Sequence, residues 1–130
     1  MLKGLIIFYG LLLSLYGLYC FFEPIRVTEL IGYVSTTGDA RAEFLAMYAG
    51  VQIAVGLFAI YSLFDTTMLR ATILLLGVVF FFLALFRMLG FLEEDSTGIY
   101  THAALIFETF SAAVFLFAFF KQPRPVVKLQ

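Results

Sequence analysis

The sequence predicts an all-α polytopic membrane protein: a bundle of four transmembrane helices, with a short interfacial helix between the first and second. Three observations carry that prediction. Of 130 residues, 63% are hydrophobic and only 13% charged, against about half and about a quarter in an average soluble domain. The apolar residues fall into four long stretches, each near the ~20 residues that carry a helix across ~30 Å of hydrocarbon. Short polar segments separate them, and a chain of this length has room for one domain, residues 1–130.

The first helix is expected over about residues 3–23. Its basic start at Lys3 resembles a signal peptide, but the apolar run from Gly4 to Phe22 exceeds the 7–15 residues of a usual signal core. The bulky Phe21-Phe22-Glu23-Pro24 also offers no small-residue cleavage site, so the segment reads as a retained helix ended by Pro24. Gly10, Ser14 and Gly17 give it a small face. In Ile25–Val34, the residues Val27, Leu30, Ile31 and Val34 recur at i, i+3, i+4 and i+7. At about ten residues this amphipathic helix is too short to span and fits the interface plane. A loop covers Ser35–Gly38, with Asp39 as the expected N-cap of the second spanning helix.

That helix, about residues 41–64, carries Ala42, Ala46, Gly50 and Ala54 at every fourth position. Small-xxx-small ridges let helix backbones approach closely in lipid, so this helix is expected at the centre of the bundle. The tight Asp65-Thr66-Thr67 connection makes the next helix, about 68–90, its antiparallel neighbour. An acidic turn, Glu93-Glu94-Asp95, leads to the fourth helix, about 99–120, which is stopped by Lys121-Gln122-Pro123. Lysine and arginine set orientation. Lys3, Arg70, Lys121, Arg124 and Lys128 fall on one side and Arg26, Arg41 and Arg87 on the other, which predicts both termini in the cytoplasm.

Charges inside a span cost ~2.5–3.5 kcal/mol each at the centre and mark function by default. Three need an account: Glu43, Arg87 and Glu108. Glu108 lies about nine residues into its helix, ~13 Å deep at 1.5 Å per residue. It shares a helix face with Thr101, Ala104, Ser111 and Ala112. One reading is structural, with Arg87 neutralising Glu108, Glu43 or both. The other is an outward-facing polar pocket for a small ligand, a lipid headgroup or a metal ion. Tyr48 and Gln52 lie opposite Glu43 on the second helix, which suggests structural hydrogen bonding or a second interface, such as a homo-oligomer through that helix. A divalent metal would need Glu43, His102 and Glu108 to converge, although His102 lies about 120° around its helix from Glu108.

Other classes lack their residues. A net charge of −1 offers no basic surface for nucleic acid. There is no HExxH spacing, no phosphate-binding glycine loop and no Ser-His-Asp set in a workable order, so no enzymatic activity and no cofactor are expected. The single Cys20 sits inside the first helix as a small packing residue.

The run Glu43-Phe-Leu-Ala-Met-Tyr48-Ala-Gly50-Val-Gln52 resembles the E-x-R-A-x-Y-G-G-L segment of a family of small four-helix bacterial membrane proteins catalogued as a domain of unknown function. Ala84-Leu-Phe-Arg87-Met-Leu-Gly90 matches the end of that family's third-helix motif, and Glu108 matches its fourth-helix glutamate. The family's arginine is Leu45 here, and its first glycine is Ala49. The resemblance implies a bacterial inner-membrane protein in which Glu43, Tyr48, Arg87 and Glu108 act as a set, and it names no ligand. The expected role is therefore non-enzymatic support of the cell envelope through the polar pocket. The alternative is a small proton-coupled exporter. Small multidrug exporters, however, carry their glutamate in helix one, where this chain has no acid between Leu2 and Phe22, and they use tryptophan, which is absent here.

Overall fold

The computed structural model describes residues 2–33, 37–93 and 98–122, and all regular structure among them is helical. The acidic turn lies mostly outside the described residues, as does the proline-rich tail. Helix α1 spans Leu2–Phe22, α2 spans Pro24–Ile31, and α3 spans Gly38–Tyr61. Helix α4 spans Thr66–Glu93 and α5 spans Ile99–Lys121. All except α2 are long and apolar enough to cross a membrane.

Local sequence chemistry sets the boundaries. Pro24 occupies the first position of α2, where its missing N–H is no loss. Gly32 closes α2 at φ +71°, a left-handed conformation that glycine adopts without penalty. The N-cap of α3 is Thr37, whose hydroxyl accepts from the Ala40 amide at 3.1 Å. Asp39, expected in that place, instead sits in the first turn, where a carboxylate favours the helix dipole. Asp65 caps α4, accepting from the Thr67 amide at 2.9 Å and the Thr67 hydroxyl at 2.6 Å. These bonds hold its carboxyl below the usual carboxylate range.

Helix α3 is not regular. Leu45–Gly50 forms a π turn, which inserts one residue into the helical repeat. Phe44 and Ala49, five apart, are consequently both buried, and Gly56 and Ala59 continue the inward face. The ridge expected to centre the bundle, Ala42, Ala46, Gly50 and Ala54, lies on the exposed side.

The main helix pairs are α1 with α3 and α4 with α5, while α3 and α4 touch only sparsely despite their short link. Glycine explains the first pairing. A Cβ at Gly56 would fall 2.6 Å from the Gly10 carbonyl oxygen, and one at Gly17 would fall 2.8 Å from that of Ala49. Such backbone approach is what drives association where lipid supplies no hydrophobic force. In the second pair, Gly77 makes room for the Leu116 side chain, whose Cδ2 would lie 2.9 Å from a Cβ there.

The two pairs close on each other mainly at one end, called proximal here, where α1 and α4 begin and α3 and α5 finish. Ile6, Tyr9, Ala59, Ile73, Phe80 and Phe115 form the core there. The Tyr9 ring meets Phe80 edge-on at 5.4 Å and Phe115 at 4.8 Å. The Ser111 hydroxyl donates to the Phe107 carbonyl at 2.6 Å, which leaves the Tyr9 hydroxyl to donate to Ser111 Oγ at 2.7 Å. At the opposite, distal end, Cys20, Val27, Phe44 and Ala49 form a smaller core between α1, α2 and α3 alone. The α4–α5 pair meets this end through contacts between α2 and α5, and polar residues lie between the two helix pairs there.

Candidate functional site

Helix α4 presents Arg87 and α5 presents Glu108 into the distal half. Arg87 Nε donates to Glu108 Oε2 at 2.8 Å and Nη2 donates to Oε1 at 2.6 Å. Both bonds lie in one fork, the bidentate geometry in which an arginine–carboxylate pair is strongest. Glu108 is only 6% exposed, whereas the Arg87 side chain is 26% exposed. The carboxylate is thus buried behind the guanidinium, whose outer edge remains accessible. Nearby, the Tyr16 and Tyr100 hydroxyls meet at 3.1 Å, a hydrogen bond from α1 to α5 across the distal gap.

Three hollows surround this pair. A cavity of about 310 Å³ runs between the helix pairs, walled by Leu13, Phe80, Leu83 and Phe107. Its polar tips are Tyr16, Gln52, Tyr100 and Glu108. A second cavity of about 570 Å³ lies at the distal surface, bordered by Glu29, Gly32, Arg87, Tyr100 and Thr101. A third hollow, a groove of about 370 Å³, runs down the outer side of α4 past Phe82, Leu83, Phe86 and Arg87. Tyr100 belongs to the first two hollows, Arg87 to the second and third, and Leu83 to the first and third. A largely apolar hollow with a few placed polar groups is the usual form of a small-ligand site.

Residues 1–119 match the family described as "Domain of unknown function (DUF4345)". The chain belongs to that family. No curated protein and no solved structure matches it significantly. The DUF4345 match stops two residues short of the end of α5, so the hollows and the buried pair lie wholly inside the family domain.

Within this DUF4345 chain, the four residues grouped by resemblance separate. Arg87 and Glu108 meet, and Glu43 does not join them. Glu43 lies on the exposed side of α3 and makes no ion pair or hydrogen bond among the described residues. Tyr48 is half-buried, its ring stacked on Phe44 at 4.8 Å. Gln52 lines the cavity that Glu108 lines. The sequence expectation has these sides reversed: within the chain, Tyr48 and Gln52 lie toward the bundle interior and Glu43 faces outward. His102 is exposed, with Nδ1 3.1 Å from the Gly98 carbonyl oxygen and its ring edge-on to Phe91 at 4.8 Å. Glu43, His102 and Glu108 therefore do not converge as metal ligands, and no group of three such residues gathers among the described residues.

Tyr16, Tyr100 and Glu29 do not stand out from the sequence as site residues. A signal for the tyrosines is nonetheless present. Tyr9, Leu13, Tyr16 and Cys20 share one face of α1, and Tyr100, Ala104, Glu108 and Ser111 share one face of α5. Polar tips repeating along a face that also carries a buried charge mark the interior side of a membrane helix. Glu29 has no such signal, because its place depends on how α2 folds back over the bundle.

Proposed function

We propose that this membrane protein is a non-enzymatic binder of a membrane amphiphile, with the polar end of the ligand at Arg87 and its apolar chain in the adjoining hollows. The observation that carries the reading is the shared lining: Arg87 borders both the polar distal cavity and the lipid-side groove, and Leu83 lines both that groove and the interior cavity. An amphiphile could move from the bilayer into such a site without leaving apolar surroundings. The order of lysine and arginine along the sequence, with Lys3, Arg70, Lys121, Arg124 and Lys128 on one side of the predicted spans and Arg26, Arg41 and Arg87 on the other, supports both termini in the cytoplasm of a bacterial inner membrane. The site then opens toward the outer face, consistent with a role in the cell envelope. The exporter reading is less well supported, since Glu108, the one buried carboxylate among the described residues, already holds two guanidinium hydrogen bonds.

The test is native mass spectrometry of the protein purified in mild detergent, comparing wild type with Ala104→Phe. Ala104 lines the interior cavity, so a phenyl ring there fills space without removing a contact. Wild type should retain lipid adducts that Ala104→Phe loses while melting no lower. Equal retention by a folded Ala104→Phe protein would overturn the proposal.

A further inference from the structure

Resting on the amphiphile reading above, we infer that the ligand is a lipid whose headgroup carries an amine beyond its phosphate, with the phosphate at Arg87 and Tyr100 and the amine at Glu29. The distal cavity brings Glu29 and Arg87 to one hollow, so it offers a recognition point of each sign. Arg87 is already matched by Glu108 at 2.6 Å, which makes the sum over these three residues negative. A purely anionic headgroup would gain at the guanidinium and meet two carboxylates close by. A zwitterionic headgroup answers both signs.

Two further observations favour a cation beside Glu29. Arg26, the base one turn away, pairs with Glu23 at 3.4 Å, and Glu29 has no ion-pair partner among the described residues. The last turn of α2, through Leu30, Ile31 and Gly32, borders the same cavity, and a helix C-terminus presents partial negative charge from its carbonyls. Among the described residues near this end, the exposed carboxylates of Glu23, Glu29, Asp39 and Glu43 outnumber Arg26 and Arg41. Such a surplus of negative charge concentrates cationic groups near it.

The experiment titrates the full chain in detergent separately with dioleoyl-phosphatidylethanolamine and dioleoyl-phosphatidylglycerol, reading bound fractions by native mass spectrometry. An exposed carboxylate partner supports a preference of about fivefold for the amine lipid at low salt, shrinking as ionic strength rises. Glu29→Gln should bring the two lipids to near parity by weakening the amine lipid and strengthening the anionic one. Glu29 is an exposed surface residue, so this variant should fold as wild type does. Phosphatidylglycerol binding as tightly as phosphatidylethanolamine to wild type would overturn the inference, as would an unchanged ratio in Glu29→Gln. In either case, loss of both lipids in Ala104→Phe would leave the amphiphile site standing. If neither lipid binds wild type more than it binds Ala104→Phe, the site itself falls and the headgroup inference with it.

Discussion

Replacing Gly56 by alanine tests the α1–α3 seam directly. The new methyl would lie 2.6 Å from the Gly10 carbonyl oxygen and 2.7 Å from the Ser14 amide nitrogen, and closer still to Ser14 Oγ. Two of these three atoms are backbone, so no rotamer change relieves the clash. To reach ordinary contact the helices must part by roughly 1 Å, a gap that forfeits a quarter to a half of each contact's attraction along the seam. Overpacking of this kind costs ~1–3 kcal/mol, and the rigid neighbours place Gly56→Ala toward the upper end. Relief of glycine's conformational entropy, ~0.5–1 kcal/mol, offsets part, leaving a net loss of about 2 kcal/mol. Gly50→Ala is the control: its methyl would meet only the Leu45 carbonyl oxygen at 3.8 Å, on the exposed side. Cys20 supplies the assay, because it is the only thiol, fully buried between α1, α2 and α3. Its labelling by a thiol-reactive dye during heating in detergent reports opening of that region. Gly56→Ala should label several degrees below wild type and Gly50→Ala should not. Identical curves for the two would refute the assignment of the packing face.

The same geometry yields two other expected outcomes. Arg87→Ala should destabilise by ~3–5 kcal/mol, since it strands the buried Glu108 carboxylate; Glu108→Ala should cost less, because the Arg87 guanidinium keeps an accessible edge, and the double variant should lose clearly less than their sum. Additive losses in the same Cys20 melting assay would mean the two residues act independently. In a Cys20→Ala background, cysteines placed at Asp39 and at Asp65, before α3's second turn and at the start of α4, should react with an impermeant reagent from opposite membrane faces. Asp39→Cys should react from outside, and labelling of both from one face would overturn the topology.

The number, order and approximate extent of the spanning helices are legible in the sequence because composition alone dictates them: an apolar run of this length has no other stable form in a bilayer. The Arg87–Glu108 contact is legible as one of two pairings, since both residues have to be neutralised and each lies on a face able to meet another helix. The face of α3 is misread for a specific reason. Two small-residue stripes run along it, Ala42-Ala46-Gly50-Ala54 and Ala49-Gly56-Ala59, and the more regular one carries Glu43, which draws the interior assignment toward it. Glu43 lies about one and a half turns from the start of α3, near enough to the interface for its carboxylate to stay hydrated, so it does not require burial. Gln52 lies deeper and has no such outlet. An amide facing lipid at that depth leaves its donors and acceptors unmet, so the stripe sharing its face has to be the interior one.

The π turn then hides the remainder of the pattern. Extrapolating backward from Ala49 with α-helical spacing puts Leu45 and Ala42 inward, whereas the extra residue in Leu45–Gly50 brings Phe44 inward instead. That substitution of one residue for its neighbour positions the ring that stacks on Tyr48 and closes the distal core with Cys20 and Val27. With that core built among α1, α2 and α3, the aromatic layer around Tyr9 is what clamps the two helix pairs together at the proximal end. The cavity beside Glu108 is therefore a consequence of how the two cores divide the helices.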